Sequence, residues 1–105
     1  ARSSWYYADD AESRLAAMIG KSLGVPAAQV VLGHGSSEII TSAALAWGKR
    51  GTILLPALQF DEPLLYPMAQ GLSYRRVAMA PDLGIDLDAL ARAAAAPDVA
   101  MIYLC

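Results

Sequence analysis

The chain has 105 residues, 56% of them hydrophobic and 17% charged, with a net charge of −2. The charged share lies below the ~25% of an ordinary soluble domain, so much of this surface is expected to be covered by more chain or by a partner. The weak negative balance, without basic residues interleaved with aromatics, argues against a nucleic-acid partner.

Other classes fall away on single counts. One cysteine, Cys105, and one histidine, His34, allow neither an internal disulfide nor a metal site of several His and Cys ligands. No apolar run reaches the roughly 20 residues of a membrane span. No signal peptide is visible at the start, and a cytoplasmic location is expected.

In chain order, Asp9 or Asp10 is expected to cap a first helix. Its apolar stripe is Leu15, Met18, Ile19 and Leu23, and it stops at Gly24 ahead of Pro26. "QVVL" (29–32) reads as a short strand covered on both faces. A second helix opens at Ser36 or Ser37 and closes at Gly48, and "TILLP" (52–56) is another buried strand. "FDEPLLYPMAQG" reads as a helix with Pro63 near its first turn and Pro67 deep enough to bend it or delay its start. "SYRRVAM" (73–79) alternates like a strand nearer an edge, Asp86 caps "LDALARAAAA", and "VAMIYL" (99–104) is a last buried strand. The adjacent basic pairs Lys49-Arg50 and Arg75-Arg76 are expected at solvated ends of elements.

Helices alternating with strands imply an α/β domain, a three-layer αβα arrangement around a mainly parallel sheet. No internal boundary is visible, so residues 1–105 read as one partial domain. The sequence ends at Cys105 directly after a buried strand. Ligands of open α/β sheets bind beyond the carboxyl ends of strands, so the expectation is a domain cut short where functional residues should follow.

"VVLGHGSSEII" (30–40) carries the most chemical information. Gly33 and Gly35 permit positive φ and close approach, and Ser36 and Ser37 open a helix whose first N–H groups lack partners within it. Such a start suits an anion, a phosphate above all; a plain turn with serine caps accounts for the same letters. Glu38 stands where a dinucleotide fingerprint needs glycine, no Lys-Ser/Thr pair completes a nucleotide-hydrolase loop, and Ile39 replaces the last glycine of a nucleophile elbow.

The run resembles the strand–turn–helix segment of fold-type I pyridoxal-phosphate enzymes, specifically class I/II aminotransferases near histidinol-phosphate aminotransferase. "YYADDAESRLAAMIGKSLGVPAAQV", "GTILLPALQFDEPLLYPMAQG" and "LGIDLDALARA…VAMIYLC" resemble further family segments in the same order. The likeness covers nearly all of the chain and implies the N-terminal part of the cofactor-binding large domain.

The resemblance implies pyridoxal 5'-phosphate as cofactor. Its phosphate would be bound by the backbone of Ser36 and Ser37 with Gly35 allowing close approach. Phe60 would stack on its ring. Tyr7, with Tyr6 as the alternative register, would reach the phosphate of a neighbouring subunit, so a homodimer with its active site at the interface is implied. The substrates would be an amino acid and a 2-oxo acid. His34 reads as a turn residue and Glu38 as a first-turn acid favourable to the helix dipole. The family's Schiff-base lysine, pyridinium aspartate and substrate arginine fall downstream, its ring-side asparagine just past Cys105, and neither Lys21 nor Lys49 takes the lysine's place. No catalytic residue is therefore assigned within the chain, and the segment alone is expected to be inactive. The family's P-x-P is here Pro56-Ala57-Leu58. Two other readings stand beside this one: a decarboxylase of the same fold acting on a phosphorylated amino acid, and a non-catalytic α/β binding module.

Overall fold

A computed structural model describes residues 8–105, with side chains from Asp10 onward. The chain divides into two compact units, residues 1–34 and 35–105, each taken by itself below.

In the first unit, α1 spans Ala8–Leu23. Asp9 and Asp10 thus lie within the helix and not ahead of it. Leu23 is its last residue; Gly24 follows at φ 70° and Val25 N–H donates to Gly20 O at 2.9 Å, so the expected stop is where the sequence put it. Of the apolar stripe, Ile19 is half-buried, whereas Leu15, Met18 and Leu23 are exposed. A single 3-10 turn, Ala27–Gln29, leads on.

The expected strand at 29–32 does not form. Val30 has extended dihedrals (φ −107°, ψ 120°), but no residue of this run pairs with a strand among the described residues, and Val31 is exposed. An extended apolar run becomes a strand only when a neighbour takes its N–H and C=O groups.

The second unit is built around a parallel three-stranded sheet. Its elements are α2 (Ser36–Gly48), β1 (Thr52–Pro56), α3 (Glu62–Ala69), β2 (Tyr74–Val77), α4 (Leu87–Ala94) and β3 (Val99–Ile102). The strand order is β2-β1-β3, with Ile53 opposite Tyr74 and Thr52 opposite Val99. The β1–β3 register slips by one residue after Thr52, since Ile53 faces Met101. All five residues of the central strand are buried, which is why its sequence shows no polar alternation. Ile53 and Leu55 pack with Ala44, Leu64 and Tyr103.

The helix boundaries follow from named groups. Asp86 caps α4 as expected, its Oδ1 accepting from Ala89 N–H at 2.9 Å. α3 starts at Glu62 despite Pro67 within it. Pro67 has no N–H for the carbonyl four residues earlier, and Thr41 Oγ1 of α2 donates to that carbonyl, Pro63 O, at 2.7 Å. The gap left by one proline thus becomes a bond between two helices. α3 ends at Ala69, and beyond it Gly71 takes φ 86°, with Gly71 N–H on Met68 O (3.0 Å) and Leu72 N–H on Pro67 O (3.3 Å), the paired bonds of a glycine C-terminal motif.

Arg75 and Arg76 are not at an element's end. They sit mid-strand on β2, an edge strand, and each pairs with an acid: Arg75 with Asp98 at 2.8 Å and Arg76 with Asp61 at 2.6 Å. Charges on an edge strand discourage further strand pairing. The other basic pair is placed as expected, at the end of α2, where Arg50 lies 4.2 Å from the centre of the Trp47 ring. No helix among the described residues is long and apolar enough to cross a membrane.

Candidate functional site

Parallel strands put all three carboxyl ends on one edge of the sheet. α2 enters β1 through residues 49–51, so the amino end of this helix lies toward that same edge. The Thr41–Pro63 bond confirms it, because Pro63 is in the first turn of the helix that leaves β1. Ser36 stands five residues before Thr41, about 7.5 Å further along the helix axis.

At this start the residue ahead of the helix is Gly35, with φ 91° and ψ 166°. That conformation is essentially restricted to glycine. Nothing lies within 4 Å of where its Cβ would be, so glycine is required by the backbone and not by crowding. No side chain caps the helix. Ser36 and Ser37 are therefore the first two helical residues, not caps, and both are exposed. A helix start with no side-chain cap and two exposed first residues presents the positive end of the helix dipole, the arrangement an anion needs.

Phe60 lies on the same edge, in the loop 57–61 between β1 and α3, with 54% of its surface exposed. Its carbonyl accepts a hydrogen bond from Tyr103 Oη at 2.7 Å. Burial pushes the Tyr103 phenol up, with the neighbouring Cys105 thiol adding to it, so the hydroxyl keeps its proton and remains a donor at neutral pH. Next to Phe60, both amide atoms of Gln59 are buried without a hydrogen-bond partner among the described residues. Tyr7 and Tyr6 lie outside the described residues.

The structure thus brings Gly35, Ser36, Ser37 and Phe60 to one edge. Sequence reasoning missed Tyr103, Thr41 and Arg76. A tyrosine ending an apolar strand was a visible sign of a hydroxyl needing a partner; the 15-residue separation of Asp61 and Arg76 carried none.

Two other places are poorer candidates. A cleft of about 200 Å³ in the first unit is lined by Glu12, Ser13, Ala16, Val30 and Leu32; its charged group is a carboxylate, which repels an anion. No cluster of three or more His, Cys, Asp or Glu able to hold a metal occurs among the described residues.

Comparison with known proteins places the fold in a class. A solved structure from Erwinia carotovora atroseptica SCRI1043, assigned as a histidinol-phosphate aminotransferase, matches with a TM-score of 0.79 and 25% identity over 94% of this chain and 29% of that one. The α/β fold is that of part of the large domain of a pyridoxal-phosphate aminotransferase. In sequence, the chain is 38% identical over 92 residues to histidinol-phosphate aminotransferase 1 of Ralstonia nicotianae, covering 86% of this chain. It is 39% identical over 100 residues to the histidinol-phosphate aminotransferase of Paracidovorax citrulli, covering 90%. Histidinol-phosphate aminotransferases thus match most of this chain in sequence and in fold, as the resemblance implied. The chain spans about a quarter of the length of these curated relatives, 25% and 26%. No family model matches it.

Proposed function

We propose that this chain is the N-terminal part of the cofactor-binding large domain of a pyridoxal-phosphate aminotransferase. The intact protein would move an amino group between an amino acid or amino-acid-like phosphate, histidinol phosphate being the example its relatives' names supply, and a 2-oxo acid. Both compact units belong to one domain in this reading. The observation that carries it is the start of α2: a glycine-only backbone turn, two exposed serines and no capping side chain, on the edge where ligands of parallel sheets bind.

The residues present fit the cofactor. The N–H groups and hydroxyls of Ser36 and Ser37 would hold its phosphate, and Gly35, with open space beside it, would let the backbone approach. The exposed Phe60 ring would lie against the pyridine face and fix its tilt. Tyr7 would serve the neighbouring subunit's phosphate, so the working unit would be a homodimer, with the cytoplasm as its expected place. When bound, pyridoxal phosphate supplies an electron-withdrawing ring and a carbonyl carbon that accepts the amino group.

The chain's own part is to bind and orient. Lys49 caps the end of α2 opposite Ser36, and Lys21 is in the last turn of α1, so neither is assigned the proton transfers of the reaction. The segment by itself has no turnover in this reading.

The test is made on the intact protein. Purified protein analysed by mass spectrometry should carry pyridoxal phosphate, and mixed with histidinol phosphate and a 2-oxo acid it should convert the 2-oxo acid to its amino acid. Protein with no bound cofactor and no affinity for added cofactor contradicts the reading. Release of carbon dioxide from an added phosphorylated amino acid, without amino transfer, would make it a decarboxylase.

A further inference from the structure

An exposed aromatic ring raises a physical difficulty. Phe60 has 54% of its surface in the open, so packing does not hold its ring in one orientation. An aromatic platform is useful only if it is already in place when its ligand arrives. The orientation must then come from the main chain that carries it.

That main chain is tied to both neighbouring strands. On the β2 side, Ala57 N–H donates to Val77 O at 2.8 Å, and the Arg76 guanidinium donates to Asp61 Oδ2 at 2.6 Å and to Ala57 O at 3.4 Å. On the β3 side, Tyr103 Oη donates to Phe60 O at 2.7 Å. Leu64 N–H then donates to Asp61 O at 2.8 Å and starts α3. Every bond bears on residues 57–61, and the two side-chain donors come from opposite sides of β1.

Tyr103 is built to hold still. Its N–H donates to Leu54 O at 2.9 Å, and the residue is only 6% exposed, in the cluster with Ala44, Ile53, Leu55 and Leu64. A phenyl ring would fill the same space. What the hydroxyl adds toward the 57–61 loop is the bond to Phe60 O.

We propose that Tyr103, and Arg76 through Asp61, are positioning residues that clamp the 57–61 loop from both sides and thereby fix the face of the Phe60 ring. The proposal rests on the reading of Phe60 as the ring that stacks on the cofactor. Tyr103 is the stronger arm, because its bond is partly buried, whereas the Arg76–Asp61 pair is about one-third exposed (36% and 30%) and exposed pairs contribute little.

The intact protein and three substitutions test it: Tyr103→Phe, Arg76→Gln and Phe60→Leu. Amide hydrogen exchange of residues 57–61 without cofactor reads the clamp, and the affinity and visible circular dichroism of added pyridoxal phosphate read the ring. Tyr103→Phe should speed exchange in this loop about tenfold, leave β1 slow, and weaken cofactor binding about fivefold with an altered dichroic band. Arg76→Gln should act in the same direction by about twofold. Phe60→Leu should weaken binding without speeding exchange, and adding Tyr103→Phe to it should cost little more. If Phe60→Leu weakens binding while Tyr103→Phe leaves exchange and dichroism at wild-type values, the clamp is overturned and the stacking stands. If Phe60→Leu changes neither affinity nor dichroism, the stacking falls, and the role of the clamp toward the cofactor falls with it.

Discussion

The two ends of the central strand are finished in opposite ways. At the amino end, Thr52 donates through its N–H to Asp98 O (2.7 Å) and through Oγ1 to Asp98 Oδ2 (2.9 Å), and Arg75 closes on the same carboxylate. Gly51 packs so tightly there that a Cβ would strike the Asp98 carbonyl. At the carboxyl end, the start of α2 has no side-chain cap, Ser36 and Ser37 are exposed, and so is Phe60. An end whose polar groups satisfy one another is structural. An end that keeps an uncapped helix start and an exposed ring is the kind of end the proposed ligand site requires.

The amino end is broken most severely through Gly51. Gly51→Ala in the intact protein should cost on the order of 1–3 kcal/mol, because backbone or the Asp98 segment must shift to admit the methyl group. Urea unfolding checks it, and an unchanged midpoint would mean the two segments are not in the tight contact described. Cofactor affinity measured below the transition should hardly move, since the damage is at the other end of the strand.

A smaller effect comes from acid. The Thr52 hydroxyl, and after it Arg75, hold the Asp98 carboxyl below its ordinary range. A carboxylate favoured in the folded state stabilises above its unfolded pKa, and that stability is lost as pH falls through the folded value. The stability difference between wild type and Asp98→Asn should therefore be full at neutral pH and shrink once the pH drops below about 3.9. A difference that stays constant through that window would remove the ionised Asp98 from the account. The group is exposed, so the whole effect should be modest and weaken with salt.

The same contrast explains what could be read from the letters. "TILLP" announced its burial by composition, and Asp86 ahead of an apolar-periodic run announced a cap; both stand in the structure. "QVVL" has similar composition and no partner strand among the described residues, because apolar character reports a wish for cover and not the identity of the cover. Pro67 looked like a defect in its helix until Thr41, 22 residues from Pro63 in sequence, supplied the missing donor. The glycine–serine turn was legible as an anion site or a capped turn. Only the φ and ψ of Gly35 and the missing cap bond favoured the first. The Tyr103–Phe60 link was out of reach, since its two members are 43 residues apart.

The central claim is that the backbone turn at Gly35 grips a phosphate, and paired affinities measure it most directly. Dissociation constants of pyridoxal phosphate and of unphosphorylated pyridoxal should be determined for the intact wild-type protein and its Gly35→Ala variant. A non-glycine residue in this conformation costs of order 1–3 kcal/mol, so the variant should bind pyridoxal phosphate about tenfold more weakly and pyridoxal with unchanged affinity. Equal losses for both compounds, or no loss for either, would contradict the account.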